Sequence, residues 1–364
     1  MAALERRHPA DGADSRLEGR GYDALLVVSF GGPEGMADVM PFLENVTRGR
    51  NIPRERLEEV AHHYELFGGV SPINGQNRDL VAALEVELGR HGIELPVYFG
   101  NRNWHPYLED TLREMRAAGI RSPLALFTSA FSSYSGCRQY REDLFRAQAA
   151  IGAGAPEVFK LRVFYNHPGF VEANAARVRD ALAAIPESRR DTAPVVFTAH
   201  SIPAAMAERC RYVHQLGETA RLVAEAVGVA DYSIAYQSRS GSPHTPWLEP
   251  DICDHLRTLA AAGASDVVIS PVGFVSDHMD VLFDLDHEAA ELGRELGVDV
   301  SRAGTAGTHP AFVSMIRELI EERLDSGLEK RVAGRFGPSP DVCAANCCLP
   351  GTGRSSPWDE ETGG

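Results

Sequence analysis

Short apolar segments alternate with long helical patterns along almost the whole chain, and this alternation limits the fold more than any other feature. Eight segments rich in Val, Leu, Ile and Phe predict strands: Leu25–Phe30, Pro96–Phe99, Leu124–Thr128, Val158–Phe164, Val195–Ala199, Ser233–Tyr236, Val267–Ser270 and Val298–Arg302. They show no clean alternation of apolar and polar residues, as expected of strands that are buried on both faces. Helical patterns separate them, and such repetition is typical of parallel sheets covered by helices.

The eight strands divide into two groups of four, and a weak internal repeat supports this division. The fourth strand is followed by His-Pro-Gly-Phe at 167–170, and the eighth by His-Pro-Ala-Phe at 309–312. A duplication explains the repeat, and a proline in the first turn of two unrelated helices explains it as well. The predicted fold class is α/β, with two similar Rossmann-like domains, each a four-stranded parallel sheet flanked by helices. The expected division is a polar tail (1–21), an N-terminal domain (22–188), a C-terminal domain (189–328) and a cysteine-bearing extension (329–364).

Composition excludes several classes of protein. The chain of 364 residues has 36 basic and 51 acidic side chains, so its formal charge is −15, which disfavours a nucleic-acid binder. No apolar run approaches the roughly 20 residues that span a bilayer, and the first twenty residues lack a secretory pattern. Six cysteines are too few for a disulfide scaffold. We therefore expect a cytoplasmic protein without a transmembrane segment.

Ligands of open parallel sheets bind beyond the carboxyl ends of the strands, so the residues at these ends are the informative ones. The fifth strand leads into His200, which is either a histidine hydrogen-bonded at a strand end or an imidazole that accepts a proton or binds a metal ion. The seventh strand is followed by Asp280, Asp284 and Glu288, which share one face of a predicted helix. These acids form either a solvated face or a path that guides a divalent cation inward and protons outward.

Two further segments suit a flat ligand. Arg239 and Trp247 follow the sixth strand, and a cation beside an aromatic ring fits an anionic, apolar and planar molecule. A mobile loop with an incidental tryptophan is the alternative. Ser71 precedes Pro72 and is interpreted first as a helix N-cap, with a hydroxyl facing the cleft as the second interpretation.

Three of the six cysteines crowd the C-terminal extension. Cys343, Cys347 and Cys348 lie within six residues and predict a site for a soft metal. Four thiolates hold a [2Fe–2S] cluster, and Cys137, which follows the third strand, is the candidate for the fourth ligand. Structural zinc and three free thiols are the alternatives.

Several of these segments together resemble ferrochelatases, the enzymes that insert ferrous iron into a porphyrin. The most specific are His-Ser-Ile-Pro at 200–203, Ser-Asp-His at 276–278 and the segment from Gln-Ser-Arg at 237–239 to Pro-Trp at 246–247. The resemblance extends from about residue 25 to residue 323. The C-terminal cysteines resemble those of the iron–sulfur forms, including the actinobacterial ones, whose substrate is typically coproporphyrin III.

The resemblance implies roles for individual residues. His200 matches the family's histidine and would ligate the entering iron or accept the pyrrole protons. Asp280 stands where the family usually has a glutamate, and Asp284 and Glu288 match its inner acidic row. The implied porphyrin-binding residues are Ser71, Tyr140, Phe30, Arg48 and Trp247, with Phe30 in place of the tyrosine that some coproporphyrin enzymes have near the metal. Cys137 lies within about one residue of the family's internal cluster ligand.

The activity expected from this resemblance is insertion of Fe²⁺ into coproporphyrin III in haem biosynthesis, with a [2Fe–2S] cluster as cofactor. The alternatives are a protoporphyrin IX ferrochelatase, a cobalt or nickel chelatase of the same fold, and a haem carrier without turnover. The expected partners are the porphyrin and iron, with transient contacts to neighbouring haem-pathway enzymes and no nucleic acid.

Overall fold

The structure is a computed structural model that describes residues 21–49, 52–241 and 244–351. Its strands are β1 (Leu25–Ser29), β2 (Val97–Asn101), β3 (Leu124–Phe127), β4 (Phe159–Lys160), β5 (Val195–His200), β6 (Tyr232–Gln237), β7 (Asp266–Ser270) and β8 (Asp299–Arg302). Its helices are α1 (Met36–Val46), α2 (Arg54–Glu65), α3 (Ile73–Arg90), α4 (Leu108–Ala117), α5 (Gln139–Ile151), α6 (Pro168–Ala184), α7 (Glu187–Arg190), α8 (Ala204–Ala207), α9 (Tyr212–Val227), α10 (Ile252–Ala261), α11 (Met279–Val281), α12 (Ala290–Leu296) and α13 (Pro310–Leu324). Two π-helical segments span Tyr134–Arg138 and Leu282–Ala289. Within the described residues, none of these helices combines the length and apolarity needed to cross a membrane.

Both sheets are entirely parallel and share one strand order. The N-terminal sheet is ordered β2–β1–β3–β4 and the C-terminal sheet β6–β5–β7–β8. Every residue of β1 and of β7 is buried, which explains why these segments show no polar alternation. The predicted α/β fold with two four-stranded parallel sheets is confirmed. The division of the chain at residues 188 and 189 stays a prediction. The predicted polar tail (1–21) and the end of the extension fall largely on residues 1–20 and those after 351, which lie outside the described residues.

The fourth strand is shorter than predicted. The apolar pattern predicts a strand over Val158–Phe164, but only Phe159 and Lys160 pair with β3. Leu161, Val163 and Phe164 are nevertheless buried, because they pack in the apolar core instead of extending the ladder. Burial alone therefore produced the strand-like pattern.

The two members of the sequence repeat have the same structural role. His167 Nδ1 accepts a hydrogen bond from the Gly169 backbone N–H at 3.1 Å, and His309 Nδ1 accepts one from Ala311 N–H at 3.2 Å. Each histidine thus caps a helix that has proline in its first turn, α6 and α13 respectively. Each helix follows the fourth strand of its own sheet.

Helices α6 and α13 then cross at the junction of the two halves. A Cβ atom on Gly169 would lie 2.5 Å from the carbonyl oxygen of Ala311 and 2.8 Å from Cβ of Met315. The rings of Phe170 and Phe312 lie beside this crossing with their centroids 6.1 Å apart. Helix α6 packs against α9 and β7 of the C-terminal half, whereas α13 packs against α3 of the N-terminal half. The two sheets are therefore joined by one continuous apolar core.

We expect Gly169→Ala to destabilise the protein, because the added methyl group would push the two helices apart. Overpacking of a close contact costs about 1–3 kcal/mol, more than alanine gains over glycine in a helix. The measurement is the urea concentration at the unfolding midpoint.

Gly217→Ala is the matched control, because Gly217 lies in α9 and a methyl group added there would meet open space among the described residues. This variant should keep or raise the midpoint. A Gly169→Ala midpoint equal to that of Gly217→Ala would show that the crossing is not tightly packed.

Candidate active site

His200 is the last residue of β5, and its ring is held in one tautomer. Nδ1 lies 2.5 Å from the carbonyl oxygen of Ser201, which can only accept a hydrogen bond, so Nδ1 carries the proton. The Tyr212 hydroxyl donates to the His200 carbonyl at 2.9 Å and holds the backbone. The neutral form of this imidazole therefore presents Nε2 as the unprotonated nitrogen, which can bind a metal ion or accept a proton.

Asp280 faces this free nitrogen. Its Oδ2 lies 3.7 Å from His200 Nε2, and both side chains are partly exposed. A second imidazole lies on the other side, with His278 Nδ1 3.8 Å from Asp280 Oδ1. His278 Nδ1 accepts the Asp280 backbone N–H at 3.2 Å, and burial lowers the pKa of His278, so this ring is a neutral helix cap. The Asp280 carboxylate thus lies between His200 Nε2 and His278 Nδ1, and of these two nitrogens only His278 Nδ1 already accepts a hydrogen bond.

Two members of the acidic row, Asp284 and Glu288, lie on a π-helical segment and not on the α-helix that the spacing predicts. Asp280 belongs to the short helix α11, and the π-helical segment begins two residues later. At this junction the Asp280 carbonyl oxygen accepts a hydrogen bond from Gln237 Nε2 at 2.7 Å. Asp284 is half-buried and Glu288 is exposed, so the row extends from the site to the surface. π-Helices are rare and often occur at functional sites.

Asp284 has an unusual protonation equilibrium. Burial and the neighbouring charge of Asp280 raise its pKa to about 8, although hydrogen bonds from Ser238 and Gln237 oppose this shift. Ser238 Oγ donates to Asp284 Oδ2, and Ser238 has a positive φ of 62° that directs the loop after β6 toward the acid. Burial and Asp251 also raise the pKa of Glu288. Asp284 can therefore gain or lose a proton near neutral pH.

The N-terminal half contributes an aromatic side to the same region. Phe30 follows β1 and is 37% exposed, whereas Tyr140 in α5 is buried. Arg102 follows β2 and joins them, since its guanidinium carbon lies 5.7 Å from the centre of the Phe30 ring and 4.4 Å from that of Tyr140. Arg102 also forms an ion pair with Asp143, which fixes its orientation.

The other predicted porphyrin-binding residues lie at different positions around the site. Ser71 does not cap α3, because Pro72 holds the cap position without a side-chain hydrogen bond; the Ser71 hydroxyl packs against the turn at Gly32. Arg48 is exposed just after the end of α1. Burial raises the pKa of Tyr107, and the positive charge of Arg48 acts against this shift.

Trp247 is anchored beside the His200 segment. It forms an antiparallel bridge with Pro203, and its ring lies over Gly241. Its buried indole Nε1 has no hydrogen-bond partner within the described part of the chain.

Helix α2 of the N-terminal half contacts the acidic segment directly. The rings of His63 and Phe283 stack with centroids 3.6 Å apart at 6°. Met279 packs with Phe42 and Tyr64 in a small apolar cluster. Burial and the charge of Asp280 raise the pKa of Tyr64, so its hydroxyl stays protonated. His200, the acidic row and the aromatic side are thus parts of one region.

The four predicted cluster cysteines also meet. Cys137 lies in the first π-helical segment and contacts Cys343, which contacts Cys347, and Cys347 Sγ lies 3.4 Å from Cys348 Sγ. The pKa of Cys343 is lowered because the Cys137 and Cys347 thiols hydrogen-bond to its sulfur. The sulfurs form a chain of contacts, and no set of three or more His, Cys, Asp or Glu side chains in the described residues is arranged to hold a metal ion. The donor set, four adjacent thiols, fits a soft metal.

The extension is tied to the body of the protein next to Cys137. The buried Arg138 guanidinium donates to the carbonyl oxygens of Ala345 at 2.5 Å and Cys347 at 3.2 Å. Farther along, Asn166 Nδ2 donates to the Phe336 carbonyl at 2.9 Å. The cysteine loop is therefore held by buried polar contacts.

Sequence reasoning missed Arg102, Tyr64 and His63. Arg102 directly follows a strand, so the rule that selected His200 could have selected it. Tyr64 and His63 lie on a helix that reaches the site only through tertiary packing, and no local pattern marks them.

Comparison with known proteins points to one family. The sequence model of the ferrochelatase family matches residues 22–324. A ferrochelatase of Rhodopirellula baltica is 57% identical over 329 residues, covering 90% of this chain and 93% of that protein. A coproporphyrin III ferrochelatase of Nocardia farcinica is 52% identical over 340 residues, covering 90% and 97%. The solved structure of SirB from Bacillus subtilis with Fe³⁺ has a TM-score of 0.52 at 14% identity and covers 83% of this chain and 96% of that one, a likeness of fold alone.

The two parallel-sheet halves with a site at their carboxyl ends thus have the fold of a chelatase. The chain belongs to the ferrochelatase family, as the sequence resemblance implied. It is an enzyme that inserts iron into a porphyrin, and Fe²⁺ is a substrate.

The raised pKa of Asp284 predicts a pH-dependent stability. In the unfolded chain this carboxyl ionises near pH 4, whereas in the folded protein it stays protonated up to about pH 8. The folded state therefore binds more protons between these values, and its free energy of unfolding falls as the pH rises from about 4 to about 8. Asp284→Asn removes this pH-dependent contribution to stability. The Tm of the variant minus that of the wild type should therefore be larger at pH 8 than at pH 4.

The measurement is the difference in Tm between variant and wild type at the two pH values. Asp79→Asn, at an exposed position on α3, is the control and should give the same difference at both. An Asp284→Asn difference that does not change with pH would show that the carboxyl is ionised in the folded protein.

Proposed function

We propose that this enzyme inserts Fe²⁺ into coproporphyrin III, with His200 and Asp280 acting at the metal. The observation that carries the proposal is the position of His200 Nε2, which lies 3.7 Å from the Asp280 carboxylate while Nδ1 is occupied by the Ser201 carbonyl. The relative from Nocardia farcinica is named a coproporphyrin III ferrochelatase, as is the relative from Streptomyces coelicolor, and this supports the choice of porphyrin.

Metal insertion needs two kinds of help that these residues can provide. Two pyrrole N–H protons must leave the macrocycle, and hydrated iron must exchange water for nitrogen ligands. His200 Nε2 accepts a pyrrole proton or ligates iron, and the Asp280 carboxylate stabilises the positive charge of either the imidazolium or the metal ion. A carboxylate one methylene shorter than the family's glutamate keeps this charge and lies 3.7 Å from the imidazole.

The acidic row then serves as the path to solvent. Asp284 exchanges a proton near neutral pH, since its pKa is raised to about 8, and Glu288 continues the row to the exposed surface. Protons can move outward and Fe²⁺ can move inward along the same carboxylates. A haem carrier without turnover has no need of such a row.

The aromatic side of the site is proposed to hold the macrocycle. Phe30 and Tyr140 offer apolar faces, Trp247 a further ring, and Ser71 a hydroxyl at the turn after β1. Coproporphyrin III has four propionates where protoporphyrin IX has two and two vinyl groups. The exposed cation Arg48 is therefore assigned to a propionate.

We expect His200→Ala to lower turnover by about 10²- to 10⁴-fold, because it removes the proton acceptor or iron ligand. The assay is anaerobic insertion of Fe²⁺, with coproporphyrin III and protoporphyrin IX compared under the same conditions. The wild type should have the higher kcat/KM with coproporphyrin III.

His91→Ala is the control, since His91 is exposed at the end of α3, and it should keep wild-type turnover. Full activity of His200→Ala would contradict its assigned role. A preference for protoporphyrin IX would contradict the substrate, and a preference for Co²⁺ or Ni²⁺ over Fe²⁺ would favour the related chelatase activity.

We also infer that Cys137, Cys343, Cys347 and Cys348 hold a [2Fe–2S] cluster. Their mutual contacts and the anchoring of the loop by Arg138 support this, because the cluster needs four thiolates in one place. Iron insertion involves no change of oxidation state, so the cluster is assigned to stability or to sensing oxidants.

The purified Cys137→Ser variant should lack the visible absorption of the wild type, because the substitution removes the one cluster ligand that lies outside the C-terminal extension. Cys253→Ser is the control, because Cys253 lies in α10 outside this group of cysteines, and it should keep the colour. A colourless wild-type protein that contains one equivalent of zinc would show that the cysteines hold structural zinc and not a cluster.

A further inference from the structure

Two glutamines join the two halves of the molecule in the same way. Gln76 of α3 accepts the Asp277 backbone N–H through Oε1 at 2.8 Å, and its Nε2 donates to the carboxylate of the same residue at 3.3 Å. Gln215 of α9 accepts the Ser132 backbone N–H through Oε1 at 2.7 Å, and its Nε2 donates to the Ser132 hydroxyl at 3.1 Å. Each amide therefore binds one residue of the other half twice, and we call these contacts the Gln76 bridge and the Gln215 bridge.

The two bridges have corresponding places in the fold. Helices α3 and α9 each lie between the first and second strands of their half in chain order. The bound residues, Ser132 and Asp277, each follow the third strand of the other half. The next residue is a cap in both cases, since the Ser133 hydroxyl and His278 Nδ1 each accept a backbone N–H. Each bridge thus connects one half to the start of a capped segment in the other.

The Gln76 bridge acts close to the proposed metal ligands. Asp277 is followed by His278, which caps the backbone N–H of Asp280. Asp280 Oδ2 in turn lies 3.7 Å from His200 Nε2. Because Gln76 holds both the backbone and the side chain of Asp277, it fixes the point from which this short segment begins.

The Asp277 carboxylate is also tied to the C-terminal sheet. Its Oδ1 accepts a hydrogen bond from Arg302 Nη1 at 3.3 Å, while Oδ2 accepts the one from Gln76. Arg302 is the last residue of β8, and its Nε donates to Asp286 Oδ1 at 2.5 Å in the π-helical segment that contains Asp284. The acidic segment is therefore held at its start from α3 and farther along from β8.

The start of α3 is itself fixed to the N-terminal sheet. Asn74 Nδ2 donates to the carbonyl oxygen of Gly32, in the turn after β1, at 3.0 Å. Asn101, the last residue of β2, donates from Nδ2 to Asn74 Oδ1 at 3.0 Å. Gln76 lies two residues after Asn74, so its bridge sets the acidic segment relative to the strand ends that position Phe30.

We propose that Gln76 is a positioning residue for iron insertion: through its bridge to Asp277 it sets the place of the Asp280 carboxylate relative to His200 and to the aromatic side of the site. This inference rests on the proposed function, in which Asp280 acts at the metal. A displacement of about 1 Å in a catalytic group can lower a rate about 100-fold, so two hydrogen bonds outside the reacting groups can control turnover.

The first experiment compares Gln76→Ala with Gln215→Ala in the full-length protein. The measurements are kcat and KM for anaerobic insertion of Fe²⁺ into coproporphyrin III and the urea midpoint of unfolding. Gln76→Ala should lower kcat about 10- to 100-fold with little change in KM for the porphyrin. Gln215→Ala is the matched control, because it loses the same two bonds between the halves at a buried position, and it should lower the urea midpoint and keep the wild-type kcat.

The surroundings of Gln76 favour folding of its variants. Gln76 and Asp277 line a cavity of about 240 Å³ together with Arg177 and Thr305. Truncation of Gln76 therefore enlarges a polar cavity that water can fill, and it does not leave an apolar void.

The second experiment exchanges the two side-chain types across the bridge. Gln76→Glu alone places a carboxylate oxygen opposite Asp277 Oδ2, and Asp277→Asn alone places an NH₂ group opposite either Gln76 Nε2 or the Arg302 guanidinium. Each single variant should have a lower kcat. The double variant restores one donor and one acceptor at every contact of the bridge, so it should recover most of the lost turnover.

The third experiment tests whether Gln76 acts through Asp280. If it does, Gln76→Ala should cause little further loss of turnover in an Asp280→Asn background, because the carboxylate that it positions is already absent. Wild-type turnover of Asp280→Asn alone would refute the proposed function, and this result is obtained before Gln76 is varied.

Three results would overturn the inference about Gln76 itself. The first is a wild-type kcat in both Gln76→Ala and Gln76→Glu. The second is an equal loss of kcat in Gln215→Ala, which would assign the effect to general contact between the halves. The third is a slow Asp280→Asn variant in which Gln76→Ala still lowers kcat by its full factor, since Gln76 would then act on another group. If Gln76→Ala does not fold, a double variant no faster than its two parent variants would overturn the inference as well.

Discussion

The close crossing of α6 and α13 is the contact on which the arrangement of the site depends. Each helix belongs in sequence to one sheet and packs in space against the other half, and Gly169 allows the two to approach closely because it has no side chain. Because the paired rings of Phe170 and Phe312 continue one core through both halves, the carboxyl ends of the two sheets keep a fixed relation. His200 and Phe30 lie at the ends of strands in different sheets, so the proposed function, in which both act on one ligand, requires this relation to hold.

Within the site, neighbouring groups of the same chemical type are given different properties by their hydrogen bonds. His200 donates its Nδ1 proton to a carbonyl and keeps Nε2 free, whereas His278 uses Nδ1 to accept a backbone N–H. Asp280 is partly exposed beside His200, whereas burial keeps Asp284 protonated near neutral pH. In the proposed function, one imidazole and one carboxylate are thereby left for the metal, and a second carboxyl group relays protons.

The cysteine site shows how an extension without regular secondary structure gains a defined place. Its residues pack little apolar surface, so buried polar contacts hold it: Arg138 binds its carbonyls, and Asn166 binds the segment before the cysteines. These contacts bring the thiols of the extension next to Cys137, which precedes them by more than 200 positions in the sequence.

The sequence by itself determined the α/β class, the two groups of four strands, His200 at a strand end and the acidic row, because each of these follows from a local pattern or from position beyond a strand. The family could be inferred from its motifs for the same reason. Local patterns failed where burial came from distant contacts: Val158–Phe164 resembled a strand, and the α-helical spacing of the acids concealed a π-helical segment. Only the tertiary structure decided the 3.7 Å approach of His200 to Asp280, the stacking of His63 on Phe283 and the meeting of the cysteines. The physical reason is that these contacts join residues far apart in the chain, and their geometry depends on how helices and sheets pack together.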